Sequence, residues 1–532
     1  MKKYNLVIIT PDQLRADYLG CYGHPSIGTK HIDSLAAEGV RFENMYCAAP
    51  LCGPSRCSFA TSTYFSEHNH RNYWSTISPR VPNLVTSLKK AGYRTGMFGK
   101  NHLFTYSELN KVWDCLDEIC LGNYDGHPAY KKAYSSFTLE EDHPFNITGR
   151  LTEEAIHFME ETRDRPYLLW VNYQDPHPAY CCPRPYDTMF DPKEIELSPR
   201  VTAYEKEKQP VRNEVFRIHS QMEACSGEEL RRAMAHYMGQ IRYVDDSVGR
   251  IMEYLKESGG KRETVVLFFS DHGELLGDYG MTHKNPTFYE CLSHIPAILV
   301  HPEGKWRGLS FEGLTEEVDL APTLLELLGV EIPPTMTGTS WAAALDKGDT
   351  TGKETILCEA GGGCPTWKQP IEGFTITAPH APTSFGAGAM IRRGSLKLSI
   401  YGDDRCELYD LDSDPYELHN LYEEPEFRKA REELTLLLLK RVMSVKVRDI
   451  GKLTWDYEAY PYDVRFEPLE NTGEALQDIR ASGIGGGVIM KPVLDSMEAK
   501  VAGGFDIRRD IRKIRRQSFP SRVFGRHTGY WK

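Results

Sequence analysis

Short, unbroken apolar runs alternate with helical periodicity along most of the chain. The runs at 6–10, 95–98, 167–172, 265–269 and 297–300 show no polar alternation, so they predict strands covered on both faces. Between them, apolar positions recur with helical spacing at 30–39, 81–91, 151–161, 230–258 and 320–328. Strands and helices alternating in this way predict an α/β fold with a largely parallel central sheet flanked by helices. The stretch 135–210, rich in Pro, Tyr and charge, reads as loops around a site rather than core.

The pattern changes near 361–389, where Gly, Pro and Thr accumulate. Beyond it, Met390-Ile391-Arg392-Arg393 and 396–401 predict a hairpin, Leu408-Tyr409-Asp410-Leu411 follows, and a charged helix spans 424–447. These make a smaller C-terminal α+β subdomain. The expected division is therefore 1–375 for the catalytic α/β domain, 376–447 for the subdomain and 448–532 for an extension. That extension carries glycines at 483–487 and a basic run from Arg508 to Arg516. It is a candidate oligomerisation arm, with a homo-dimer or homo-tetramer as the expected assembly.

At 532 residues the chain exceeds what one simple core needs. Its net charge of −12 argues against nonspecific nucleic-acid binding, and an anionic substrate would require a locally basic pocket. No apolar run reaches the length of a membrane span. The run at 6–10 is too short for a signal-peptide core and has no cleavage site. The 13 cysteines are odd in number, lack paired C-x-x-C spacing, and include the adjacent Cys181-Cys182. Reduced thiols and a cytoplasmic location are expected.

Chemistry concentrates at Cys52-Gly53-Pro54-Ser55-Arg56. A small nucleophile, a proline suited to a first helical turn and a permanently charged guanidinium stand together, at a predicted helix N-terminus that favours anions. Asp12-Gln13 directly follows the first predicted strand, and Asp271-His272 follows the run at 265–269 with Ser270 between. Residues just beyond the carboxyl ends of parallel strands can meet across a crevice. Carboxylates and an amide oxygen suit Ca2+ or Mg2+, and the histidine extends the choice to Mn2+.

The C-x-P-S-R core at Cys52, Pro54, Ser55 and Arg56 resembles the sulfatase signature, except that Ser62 follows Thr61 where a T-G pair is usual. Similarity runs from about Tyr4 to about Tyr422 and includes V-D-x-x-P-T-L-L at Val318–Leu325 and E-L-Y-D-L at Glu407–Leu411. The resemblance implies an alkaline-phosphatase-like fold. It also implies oxidation of Cys52 by a dedicated maturase to formylglycine, whose hydrated aldehyde is the nucleophile. Asp12, Gln13, Asp271 and His272 would hold one divalent ion together with residue 52, with Ca2+ as the first expectation and Mn2+ or Mg2+ as alternatives. Gly99-Lys100-Asn101-His102-Leu103 resembles the family's G-K-x-H-L element, and Asp175-Pro176-His177-Pro178 its P-H-x-P element. Lys284 matches a sulfate-binding lysine. His283 is expected to be structural, and Glu274, Asp278, His68, His70, Arg71 and Asn72 to be loop residues.

The expected activity is hydrolysis of a sulfate monoester, on a sulfated carbohydrate or an aryl sulfate. Gln13 stands where a second Asp is usual, and His272 where Asn is commonest. This D-Q plus D-H set resembles variants in some sulfatases and in related phosphonate monoester hydrolases. A phosphonate monoester or phosphodiester hydrolase is therefore the nearest alternative. A non-catalytic metal-binding protein that holds sulfated ligands is the alternative of another class.

Overall fold

The computed structural model describes residues 3–444 except 69, 71–76, 105–107, 120–126, 128, 141–145, 258–262, 362–386 and 403. The extension expected at 448–532, Arg71 and Asn72 lie outside the described residues.

The main sheet is built from β1 (Asn5–Pro11), β2 (Val40–Tyr46), β3 (Arg94–Gly99), β4 (Cys115–Glu118), β5 (Tyr167–Tyr173), β6 (Thr264–Phe269), β7 (Ala297–Val300) and β8 (Leu309–Glu316). Their order is β8-β2-β7-β6-β1-β5-β3-β4, and a two-residue strand, His294–Ile295, pairs with β2. β6, β1, β5, β3 and β4 run parallel, and β7 is antiparallel to both of its neighbours. The expected parallel α/β sheet is present.

The apolar runs are unbroken because both faces are covered. On β1, Leu6 and Ile8 face one core with Trp170, Leu267 and Phe59, while Val7 and Ile9 face the other with Val171, Phe268 and Ile241. Helices α1 (Lys30–Glu38), α4 (Ile147–Glu161) and α5 (Gly227–Glu257) supply apolar residues to the second core. On α5 the buried residues Leu230, Met234, Tyr237, Ile241, Val244, Val248 and Ile251 form one stripe at helical spacing. Helices α2 (Cys52–Thr61), α3 (Leu84–Lys90) and α6 (Leu320–Leu327) cover the first core.

The stretch 135–210, read as loops around a site, holds the helix expected at 151–161 and the strand expected at 167–172. These are α4 and the central strand β5, all seven of whose residues are buried. The prolines and tyrosines that suggested loops lie mainly after β5. The less obvious strands, β2 and β8, are only partly buried, so polar residues interrupt their runs.

A second sheet, β9 (Ile356–Ala360), β10 (Gly388–Arg393), β11 (Leu396–Tyr401) and β12 (Glu407–Asp410), is antiparallel throughout. Helix α7 (Arg428–Ser444) packs Leu434 and Leu438 against Leu357, Ile391, Leu398 and Leu408 of this sheet. The expected division at 375/376 falls inside this sheet, because β9 pairs with β10 along its whole length. Ion pairs to Glu290 and Glu316 tie the subdomain to the main body. Lys397 Nζ reaches Glu290 at 2.7 Å and Glu417 at 2.8 Å, and Arg441 Nη2 reaches Glu316 at 2.9 Å.

Candidate active site

The site lies beyond the carboxyl ends of β6, β1, β5 and β3, where sequence reading placed it. Asp12 continues from β1, with its N–H donating to Tyr173 O at 3.1 Å. Gln13 takes a left-handed backbone (φ 69°) and donates its N–H to Asp271 Oδ1 at 3.0 Å. Beyond β6, Ser270 Oγ accepts the Leu14 N–H at 2.9 Å, which ties the two strand ends together. Helix α2 begins at Cys52, so the first residue of the motif stands at the positive end of a ten-residue helix, with Pro54 in its first turn.

Four ligand-type atoms converge here: a carboxylate oxygen each from Asp12 and Asp271, Cys52 Sγ and a His272 ring nitrogen all lie within 4.8 Å of one another, fully buried. Cys52 Sγ is 3.0 Å from His272 Nε2 and 3.5 Å from Asp12 Oδ1. His272 Nδ1 lies 2.9 Å from Gly273 O, which fixes the proton on Nδ1 and turns the lone pair of Nε2 inward. Gly273 cannot be replaced without shifting this element, since a Cβ there would lie 1.9 Å from Cys291 O. Two carboxylates and an inward imidazole fit a divalent cation, and the imidazole keeps Mn2+ in range beside Ca2+ and Mg2+. Gln13 sits beside this set, but its Oε1 accepts from Lys284 Nζ at 2.5 Å and its Nε2 donates to Glu274.

Cations surround the cluster. Arg56 Nε donates to Asp271 Oδ2 at 2.9 Å, Nη2 lies 3.3 Å from Asp12 Oδ2, and Nη1 donates to Asn172 Oδ1. Lys100 Nζ is 2.6 Å from Asp12 Oδ2 and 3.7 Å from Cys52 Sγ. Burial alone would raise the Asp12 carboxyl, yet Lys100, His177, Lys284 and Arg56 hold it well below the usual carboxylate range. Burial and Asp12 push the Cys52 thiol up, but Lys100, Lys284 and His272 outweigh them and leave it lowered. Burial, then Lys100, depresses His102; burial, then Lys284 and Lys100, depresses His177. His177 Nδ1 lies 2.6 Å from Pro178 O. Arg56, Lys100 and Lys284 thus gather positive charge around the cluster within an acidic chain.

Several residues read as loop are structural. Glu274 is fully buried and accepts from Gln13 Nε2, Tyr180 OH, Leu276 N and His283 N, so it underlies the site instead of shaping access. Asp278 is a buried partner of Arg15 at 2.9 Å. His68 is buried against Ser58 Oγ at 2.9 Å, and His70 is held near pH 4 by burial. His283 Nε2 lies 3.0 Å from Ala133 O, consistent with the structural role expected for it. Sequence reading missed Asn172, which anchors Arg56. Its signal was the one that exposed Asp12 and Asp271, a polar residue closing a buried apolar strand. Glu317, which contacts Ser55, gave no comparable signal.

A family model described as Sulfatase matches residues 4–330. The chain is 24% identical to an N-acetylglucosamine-6-O-sulfatase of Bacteroides thetaiotaomicron, over 84% of this chain and 88% of that protein. It is 27% identical to an arylsulfatase of Clostridium perfringens, over 83% of this chain and 94% of that protein. The solved structure of a phosphonate monoester hydrolase from Silicibacter pomeroyi superposes with a TM-score of 0.71 at 25% identity, over 84% of this chain and 97% of that one. Among the described residues, no helix is long and apolar enough to cross a membrane.

Proposed function

Because the chain belongs to the sulfatase family, we propose that it is a sulfuric ester hydrolase acting on a sulfated carbohydrate or aryl sulfate through formylglycine derived from Cys52. The observation that carries this reading is the burial of Cys52 at a helix N-terminus, within reach of Asp12, His272 and Lys100. Formylglycine there would supply a hydrated aldehyde: one hydroxyl attacks sulfur, and the other lets sulfate be expelled as the aldehyde re-forms, which a thiol cannot do. A divalent ion held by Asp12, Asp271 and His272, with residue 52 and Gln13 beside them, would acidify the nucleophile and polarise a sulfuryl oxygen.

The remaining work falls to side chains. Arg56 forks onto Asp271, Asp12 and Asn172, fixing the carboxylates and adding charge behind residue 52. Lys100, His102 and Lys284 supply preorganised donors to the sulfuryl oxygens, where losing one donor costs about 10²–10³ in rate. Lys284 offers N–H donors to the departing oxygen. His177 is neutral in the free site with Nδ1–H on Pro178 O, and gains basicity when an anion binds near Nε2. His102, depressed by burial and its cationic neighbours, is the base for the final collapse.

The test uses protein produced with a formylglycine-generating maturase. The Cys52 peptide should carry oxygen in place of sulfur, and inorganic sulfate should be released from sulfate monoesters. Cys52→Ser should lose at least about 10²-fold in kcat. An unmodified thiol in active protein overturns the formylglycine reading. The second reading, phosphonate monoester hydrolysis, is favoured by Gln13 and His272 in place of the usual Asp and Asn. Faster turnover of a phenyl phosphonate monoester than of any sulfate ester would establish it.

A further inference from the structure

We propose that Gln174 reads the alcohol half of the substrate, its side-chain amide bonding a hydroxyl beside the ester oxygen and so selecting sulfated sugars over aryl sulfates. This rests on the hydrolase reading above and chooses between its two substrate classes.

Gln174 is completely buried, and neither Oε1 nor Nε2 finds a hydrogen-bond partner among the described residues. Its neighbours are all engaged. Asn172 Oδ1 accepts from Arg56, Asp175 accepts from Thr148 Oγ1 at 2.7 Å and from Gln240 Nε2 at 2.9 Å, and His177 Nδ1 faces Pro178 O. A buried amide with both atoms unsatisfied is rare in a folded protein and calls for an explanation. A substrate group supplies one.

Placement follows from strand register. Pairing ends with Thr10 level with Asn172 and Pro11 with Tyr173, the Asp12 N–H donates to Tyr173 O at 3.1 Å, and Gln174 is the next residue after β5. Tyr173 just before it turns its ring into the other core, while Asn172, two residues back, reaches Arg56. Gln174 also opens the turn that carries His177, since the His177 N–H donates to Gln174 O at 3.0 Å. Along the chain it thus lies between Asn172, which holds Arg56, and His177.

The chemistry of the orphaned pair narrows the partner. A sulfuryl group only accepts hydrogen bonds and would satisfy Nε2 alone. An unsubstituted aryl leaving group satisfies neither atom. A hydroxyl both donates and accepts, so a polyol carrying one next to the ester meets both needs. Sites built to bond a hydroxyl discriminate strongly against analogues lacking it.

The experiment uses matured full-length enzyme, a panel of monosaccharide sulfates, and p-nitrophenyl sulfate as the substrate without a neighbouring hydroxyl. Gln174→Met should lower kcat/KM on the best sugar sulfate by about 10- to 100-fold and leave aryl sulfate turnover within about threefold. Retained aryl turnover reports that the variant is folded. Independently of any variant, removing the hydroxyl neighbouring the ester of that sugar sulfate should cost the wild-type enzyme a similar factor, and the two losses should not add. Equal losses on both substrates, additive losses, or no loss overturn the proposal, as does wild-type enzyme that cleaves the aryl sulfate and no sugar in the panel. Wild-type enzyme inert to every sulfate ester overturns the hydrolase reading itself.

Discussion

Ser55 and Glu317 meet through a 2.7 Å contact that requires a protonated carboxyl. Ser55 Oγ also lies 2.7 Å from the Asp271 carbonyl oxygen, which can only accept, so the single hydroxyl proton goes there. The proton between Ser55 and Glu317 must then come from Glu317. Burial pushes that carboxyl well above the ordinary range, in agreement, while its other oxygen accepts the Ala48 N–H at 2.6 Å. A neutral acid thus braces the motif from behind. Glu317→Gln keeps one donor and one acceptor and should stay within about 1 kcal/mol of the parent. Glu317→Leu strands the Ala48 N–H and should cost about 1–3 kcal/mol. Denaturant unfolding of both variants checks this.

Gly99 is needed for two separate reasons. Its φ is +114°, and a Cβ would sit 1.9 Å from Asn172 O. Gly99→Ala should cost at least about 1–3 kcal/mol from backbone strain alone. Because Lys100 follows immediately and Asn172 holds Arg56, kcat should fall more steeply than KM rises, as steady-state kinetics would show.

Gln240, on α5, steadies the turn that carries His177. Its Nε2 donates to Asp175 Oδ1 at 2.9 Å and approaches Ala179 O at 3.3 Å and His177 O at 3.4 Å. Gln240→Glu turns that donor into an acceptor among acceptors. The expected result is a fall in kcat of about tenfold or more, consistent with small displacements of a reacting group. Gln240→His should restore part of it. A melting temperature lowered with kcat unchanged would reduce the residue to packing.

Glu407 gives the fold a pH dependence. It is buried among the hydroxyls of Tyr289, Tyr401 and Tyr409 at 2.7–2.9 Å, and burial raises it to about 7 despite those donors. The folded carboxyl therefore holds its proton where the unfolded one has lost it. Its contribution is fully present below about pH 4.5 and is lost as pH rises through about 7. At about 1.4 kcal/mol per pH unit this amounts to about 3 kcal/mol. Glu407→Gln should flatten the decline of stability between pH 5 and 8, measured by urea unfolding at fixed pH.

How much could be read from the chain alone followed from how local each cause is. β1 and β6 are buried on both faces, so each leaves an unbroken apolar run, and the polar residues ending those runs, Asp12 and Asp271, mark the site directly. Gln240 and Asp175 lie 65 positions apart and meet only after α5 docks on the sheet, so no spacing announces the pair. Glu274 looks like a surface acid until the chain around it turns inward to bond it four times. The partner of β9 lies across 362–386, which hid its membership of the second sheet.

Strand β9 has a further consequence, one of timing. Glu359 donates its N–H to Ala48 O at 2.8 Å, four residues before Cys52, and Leu357 shares a core with Ala48 and Tyr64. β9 is held in place by β10, and β10 by β11, all made long after Cys52 has left the ribosome. The wall against the segment leading to Cys52 therefore closes only once roughly the first three-quarters of the chain has been synthesised. Until then the Cys52 segment lacks its final cover, which would give the maturase of the proposed function an interval in which to reach a residue that is wholly buried in the folded protein.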